Sequence, residues 1–473
     1  MVKDSNIVIT KIDVLWNYLA TFFSLATGII VLPFILNKLS PEEIGLNYLM
    51  QTIYSIVMLI DFGFRPQFGR NFTYVLSGAQ SLKKEGIEQN VSGEVNYHLL
   101  AVLLKTARKA YSFMSIIGLA LMLTAGTVYM YYVTDGFTSV NNSLYIWLFF
   151  SVSVYFNFYF SYYPTLLTGS GMIAEASKAG IWMRVVQIVI NLGLLYAGWG
   201  LFSVVIANFI SPFVLMYYCY KVYFTDELKK KISIQTTKEE LTDTFKKIWS
   251  NAAKLGVNNL GAYAINKFGL FLVGLYLPLS VVGSYGLLIQ LATILSGVAV
   301  IMSNSYMPKF SNYRVTGQTK ELAGLFSFTV IVYWIIMIAG SLVIVLWGQP
   351  ILNLVKSNTQ LPAQALCAAY LVVISLEGNH SNFASLITTK NEVPFVAAGL
   401  ISGGLIALLT FICLQYTNIG LWGVVLCQGI VQLCYNNWYW PRWVLNDLNL
   451  SFVTFAREGM HYTRGILKAY LKI

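Results

Sequence analysis

Apolar runs of about 20 residues recur along the whole of this chain, and they limit its fold more than any other feature. A helix rises about 1.5 Å per residue, so one such run spans the ~30 Å hydrocarbon core of a bilayer. Twelve runs stand at roughly 14–36, 44–64, 110–132, 144–167, 180–197, 201–220, 255–277, 281–303, 322–347, 361–386, 393–414 and 419–440. They are too long and continuous for barrel strands, which read as short alternating segments. The first has no small-residue cleavage site and reads as a span, not a removable signal peptide. Composition agrees: 11% of the 473 residues are charged, against about 25% in soluble domains. The expected fold is an all-α polytopic membrane protein.

Charge sets the topology. An even number of spans puts both termini on one side. The N-terminus, the loops 65–109, 168–184, 221–254, 304–321 and 387–392, and the tail from 441 together hold 28 of the 31 Lys/Arg. The opposite loops hold only Lys38 and Lys356, and the remaining cation is Lys267. Cytoplasmic loops carry such an excess, so both termini are expected in the cytoplasm. The net charge of +11 then marks the side facing anionic phospholipids and needs no nucleic acid partner. Cys219, Cys367, Cys413, Cys427 and Cys434 lie in or at spans with no metal spacing and read as packing residues.

The two halves repeat. Shifted by 220 residues, 166–205 matches 386–425 without gaps at nine of 40 positions, including "YAGWGLFSVV" on "YTNIGLWGVV". Six spans separate the copies, so both have the same orientation. The pattern predicts two six-helix lobes related by a pseudo-two-fold along the membrane normal, with a central cavity. The lobes are read as 1–225 and 253–440, joined by a polar cytoplasmic linker at 226–252 and followed by a tail at 441–473. In the tail, Phe452, Phe455, Tyr462, Ile466 and Tyr470 share one helical face and Arg457, His461, Arg464, Lys468 and Lys472 another. This is the pattern of a basic amphipathic helix on the inner leaflet.

Polar groups interrupt four spans. Lys267 lies about 12 residues, or roughly 18 Å, inside the seventh. A four-carbon stem does not reach the interface from there, and a charge at that depth costs about 2.5–3.5 kcal/mol on insertion scales. Asn251, Lys254, Asn258, Asn259, Ala262, Tyr263, Asn266 and Lys267 share one face of this helix. Similar stripes include Asp13 and Asn17 in the first span, Asn47, Gln51, Ser55 and Asp61 in the second, and Gln290 in the eighth. One hydrated cavity walled by spans 1, 2, 7 and 8 would account for all four, and helix–helix hydrogen bonds in a packed bundle are the alternative. An ion pair with an acidic residue is the structural alternative for Lys267. Glu377 and His380, three apart in the tenth span, could hold a proton or Na⁺, form a structural pair, or partner Lys267. Arg184, near the start of the fifth run, is expected to snorkel.

The stretch "LPFILNKLSPEEIGLNYLMQTIYSIVMLIDFGFRPQFGR" at 32–70 resembles the polysaccharide transporter branch of the multidrug/oligosaccharidyl-lipid/polysaccharide exporter superfamily. The matching features are the Leu-Ser-Pro-Glu-Glu-x-Gly turn at Leu39–Gly45, the Asp-x-Gly of Asp61 and Gly63, and Arg70. The segments "LLTGSGMI" and "TTKNEVPF" are also similar to that family. The resemblance implies an O-antigen-type flippase for lipid-linked oligosaccharides in a bacterial inner membrane. Polysaccharide assembly proteins would be its further partners. The residues suit that work, because a cation meets pyrophosphate and amides meet sugar hydroxyls. Lys267, Asn266, Asn259, Asn258, Tyr263, Asn17, Gln51 and Gln290 are the candidate substrate groups. Glu377, His380 and Asp61 are the candidates for coupling to Na⁺ or H⁺. No other cofactor is expected.

The rival reading is a multidrug cation antiporter of the same superfamily, which would favour an acidic cavity. A membrane glycosyltransferase or polymerase is disfavoured, because the longest outer loop, 348–360, carries no Asp, Glu or His. No nucleotide loop or Ser/His/Asp array stands out, so no enzyme is expected.

Overall fold

The computed structural model describes residues 11–83, 94–390 and 392–471, without the side chains of residues 11, 14, 18, 25, 26, 251, 254, 255, 257–259, 315, 463 and 465–471. All regular structure among the described residues is helical. The chain forms two compact units, Met1–Leu260 and Gly261–Ile473.

The first unit holds α1 (Lys11–Lys38), α2 (Pro41–Met58), α3 (Phe64–Leu76), α4 (Tyr97–Leu121), α5 (Thr127–Val133), α6 (Ser143–Tyr159), α7 (Tyr162–Gly169), α8 (Ile173–Tyr196), α9 (Phe202–Tyr223), α10 (Asp226–Ile232) and most of α11 (Lys238–Asn266). α8 packs on α1 and α9, and α6 packs on α4 and α9. The Leu-Ser-Pro-Glu-Glu turn is a reciprocal cap for α2. Ser40 Oγ accepts from the Glu43 amide at 3.1 Å, and Glu43 Oε2 accepts from the Ser40 amide at 2.9 Å. Pro41 occupies the first turn, where its missing N–H costs nothing. The other oxygen of Glu43 accepts from the Leu201 amide at 3.2 Å, which ties the start of α2 to the start of α9.

The polar linker is held against α4. Lys105 Nζ donates to the Ile234 carbonyl at 2.9 Å, and His98 Nε2 lies 2.8 Å from Glu240 Oε1. The Thr237 amide donates to Glu240 Oε2 at 2.7 Å and caps the start of α11. That amide, with His98 beside it, holds the Glu240 carboxyl below its ordinary pKa.

The second unit holds the end of α11, then α12 (Phe268–Tyr276), α13 (Leu279–Ala299), α14 (Ile301–Val315), α15 (Thr319–Leu354), α16 (Gln364–Ile387), α17 (Val396–Tyr416), α18 (Leu421–Cys434), α19 (Asn436–Asp447) and α20 (Phe452–Leu471). The 36 residues of α15 make about 54 Å of helix, well beyond a hydrocarbon core. Its first third is buried with Phe310, Phe383, Trp440 and Phe455. Of the tail face that the pattern assigns to the leaflet, Phe455 is buried in this cluster and Tyr462 packs against it. Ser327 Oγ donates to the Phe455 carbonyl, and a Cβ on Gly459 would stand 2.9 Å from the Ser327 backbone, so glycine allows this close crossing of α15 and α20. Phe452, Val453 and Met460 are left exposed, with Arg457 among them. Ile466, Lys468, Tyr470 and Lys472 lie outside the described side chains. Arg314 and Lys390 both pair with Asp447, which joins the end of α14 to α19.

Nine helical stretches among the described residues are long and apolar enough to cross a membrane: Leu15–Lys38, Pro41–Asp61, Tyr97–Val133, Ser143–Gly169, Ile173–Tyr196, Phe202–Tyr223, Leu279–Arg314, Thr319–Leu354 and Val396–Tyr416. The other three apolar runs are also helical, with polar groups at the points that set them apart. The run 255–277 breaks at Lys267, between α11 and α12, and the run 419–440 breaks at Tyr435, between α18 and α19. α16 is unbroken, but Glu377, Asn379, His380, Ser381 and Asn382 make its second half polar.

Candidate functional site

In the second unit, polar groups gather around these interruptions. Lys267 has φ −125° and ψ −29° and precedes α12. Its amide still bonds the Tyr263 carbonyl at 2.9 Å, so α11 closes normally and the chain restarts as a new helix at Phe268. Close packing accounts for one side of the α11 terminus. A Cβ on Gly261 would stand 2.9 Å from the Gly399 carbonyl carbon, and one on Gly403 would stand 2.7 Å from Ala264 Cβ. Ala262 and Asn266 are exposed, and Tyr263 and Lys267 are half-buried. The polar stripe of this segment therefore includes residues that α17 leaves uncovered. Asn266 Nδ2 donates back to the Ala262 carbonyl at 3.0 Å. Among the described residues no carboxylate pairs with Lys267.

Glu377 does not pair with Lys267 or with His380. It is 7% exposed and accepts from Gln428 Nε2 of α18 at 2.7 Å, with the Asn266 side chain beside the same carboxyl. His380 Nδ1 lies 2.8 Å from Asn437 Oδ1 of α19. The two residues share a face of α16 yet reach different partners on either side of the α18–α19 break. A polar ladder continues past that break. Asn436 Nδ2 donates to Gln432 Oε1 at 2.8 Å and to Ser402 Oγ at 2.9 Å, and Asn436 Oδ1 accepts from Trp440 Nε1 at 2.8 Å. Buried amides keep such partners because an unpaired one costs about 1–3 kcal/mol. The ladder is not among the polar stripes that hydropathy marks. Its signal is the four-residue spacing of Gln428, Gln432, Asn436 and Trp440, which puts them on one helical face.

The first unit has its own cation. α8 begins at Ile173, just after Gly171 with φ +75°, so Arg184 is eleven residues into the helix, or roughly 16 Å. Arg184 therefore stands in the interior of its helix, not near its start as the apolar run suggests. The Ser-Gly turn at Ser170–Gly171 was the signal for the earlier start. Arg184 Nη1 donates to Gln187 Oε1 at 2.8 Å, Gln187 Nε2 donates to Asn208 Oδ1 at 2.6 Å, and Asn157 Nδ2 donates to the Asn208 carbonyl at 3.0 Å. α6, α8 and α9 are thereby linked through a guanidinium and three amides.

The motif residues form a turn. Asp61 Oδ1 accepts from Tyr111 Oη at 2.9 Å, Phe62 has φ +42° and Gly63 has φ +79°. The turn swings the chain from α2 into α3 and sets Phe62 and Phe64 against Phe245 and Trp249 of α11, with ring centroids 5.4–6.0 Å apart. Arg70 is exposed on α3. Asn17 is exposed on α1, where its carbonyl accepts from Thr21 Oγ1 at 2.9 Å. Gln51 is half-buried on α2 and Gln290 half-buried on α13. The side chains of Asn258 and Asn259, like those of Asn251 and Lys254, lie outside the described residues.

No family model matches this chain, and no curated protein matches it in sequence. Solved structures match it in fold. An inward-facing multidrug resistance MATE family transporter of the MOP superfamily aligns with TM-score 0.63 and 12% identity, over 91% of this chain and 95% of that one. The lipid II flippase MurJ in an inward closed conformation gives TM-score 0.63 and 16% identity, over 97% of this chain and 93% of that one. A Vibrio cholerae MATE transporter, VcmN, gives 0.57 and 11%, over 92% and 97%. The fold is therefore that of the polytopic helical transporters represented by MATE and MurJ.

Proposed function

We propose that this chain is a flippase, not an enzyme. Its substrate would be an undecaprenyl-pyrophosphate-linked oligosaccharide repeat unit, moved from the inner to the outer leaflet of a bacterial inner membrane for O-antigen, capsule or exopolysaccharide synthesis. The observation that carries this reading is Lys267, a half-buried cation with no carboxylate partner among the described residues, placed at a helix break with Asn266 and Tyr263 beside it. A pyrophosphate supplies the missing anion, and the amide and phenol suit sugar hydroxyls and ring faces. Arg184, half-buried in the interior of α8, adds a second cation in the other unit. The likeness to a lipid II flippase supports a lipid-linked substrate. A cavity opened alternately to each leaflet would carry the head group while the prenyl tail stays in lipid. Asn17, Gln51 and Gln290 would line it. Both termini would be cytoplasmic, with anionic phospholipids against the basic loops and polysaccharide assembly proteins as neighbours.

The test is lipid-linked sugar flipping, normalised to folded protein. Lys267→Arg keeps charge with altered donor geometry and retains part of the activity. Lys267→Ala and Lys267→Glu insert normally and lose it. Full activity of Lys267→Ala would remove the substrate cation and with it this reading.

A multidrug cation antiporter is the second reading, and Glu377 favours it. This buried carboxyl, held by Gln428, could exchange a cation for Na⁺ or H⁺. That reading predicts drug efflux lost in Glu377→Gln and kept in Lys267→Ala.

A further inference from the structure

Cys413 and Cys427 meet across the α17–α18 hairpin with Sγ atoms 3.5 Å apart. A second contact places them independently. A Cβ on Gly423, one turn before Cys427, would stand 2.9 Å from Cys413 Cβ, so the bare glycine lets α17 seat Cys413 in the groove between positions 423 and 427 of α18. Thiols at this contact stand within about 1.5 Å of the bonded separation of about 2.05 Å. The two sulfurs also differ in access. Cys413 is half-buried, three residues from the end of α17 beside the 417–420 turn, and Cys427 is 7% exposed.

We propose that Cys413 and Cys427 are a redox-active pair, with Cys413 attacking and Cys427 resolving, that closes a disulfide between α17 and α18. A low-molecular-weight disulfide is the oxidant. The Cys413 thiolate attacks one of its sulfurs, giving a mixed disulfide and releasing one thiol. The Cys427 thiolate then attacks Cys413 Sγ and releases the second. The two cysteines lose two protons and two electrons, and the small disulfide leaves as two thiols.

The full chain in detergent, exposed to glutathione disulfide, then freed of it, denatured and alkylated so that buried Cys427 is read as fully as Cys413, reports the outcome by intact and peptide mass. The wild type is expected to lose the mass of two hydrogen atoms and both alkylation sites at Cys413 and Cys427, while exposed Cys434 carries a glutathione adduct. Cys427→Ala is expected to accumulate the adduct on Cys413, and Cys413→Ala to leave Cys427 free to alkylate. Gly423→Ala, which forces the hairpin apart, slows closure severalfold. A stable adduct on Cys413 in the wild type would overturn the proposal. So would Cys413 and Cys427 both remaining alkylatable at a dose that modifies Cys434.

Discussion

Phe62 fills the space that a side chain on Gly256 would need: a Cβ there would stand 2.1 Å from Phe62 Cδ1 and 2.9 Å from Phe62 Cα. Phe62 is held in this position by a left-handed backbone at φ +42°, which non-glycine residues seldom adopt, and by the Asp61–Tyr111 hydrogen bond beside it. The Asp-x-Gly motif thus builds a peg, and α11 carries the matching hole.

Gly256→Ala is expected to destabilise the protein by about 1–3 kcal/mol through overpacking against a backbone that cannot retreat. Adding Phe62→Ala removes the closest contacts but leaves the Cα of residue 62 in place and gives up the ring's packing on Trp249, so it should recover part of that loss. Thermal unfolding of the single and double variants in detergent measures it. Equal midpoints for Gly256→Ala and wild type would show that the peg does not bear on α11.

Arg184→Gln removes a charge-assisted hydrogen bond, a type of contact that contributes about 1.5–3 kcal/mol. If Arg184 holds substrate phosphate, flipping falls roughly tenfold or more at unchanged abundance. If its role is confined to bridging α6, α8 and α9, abundance and thermal midpoint fall and flipping per folded molecule does not.

Gln428→Ala deprives the buried Glu377 carboxyl of its 2.7 Å donor. A loss of about 1–3 kcal/mol in stability follows, and Glu377→Gln in the same background should relieve it. Transport by Glu377→Gln, followed against Na⁺ and pH, tests coupling separately. A profile unchanged from wild type would assign Glu377 to the fold.

Orientation can be read from thiol labelling in a background without native cysteines. Ser357→Cys is expected to react with an impermeant reagent in intact cells, and Ser233→Cys only after permeabilisation. The reverse pattern would invert the topology drawn from the Lys/Arg distribution.

Much was legible before any tertiary structure. Twelve apolar runs predicted an all-helical membrane fold, and the helices follow them. The Ser-Pro-Glu-Glu and Asp-x-Gly motifs stood in the sequence as marks of a resemblance, and the folded chain makes them a reciprocal helix cap and a left-handed turn. Lys267 stood out because a cation inside an apolar run is anomalous on hydropathy alone.

The partners were not legible. Glu377 and His380 share a helical face, and only the break at Tyr435 decides that one meets Gln428 and the other Asn437. Arg184 lies in the interior of its helix because α8 starts at Ile173, earlier than its apolar run suggests. The tail's apolar stripe reads as a leaflet-facing surface, but Gly459 against Ser327 brings Phe455 and Tyr462 of that stripe onto the α15 cluster. Hydropathy and helical period are sums over neighbours in sequence, so the sequence by itself determined which segments are helices and which of them suit lipid. Where a helix breaks, and which buried polar group meets which, depends on close approaches between residues tens to hundreds of positions apart, and only the folded chain decided those.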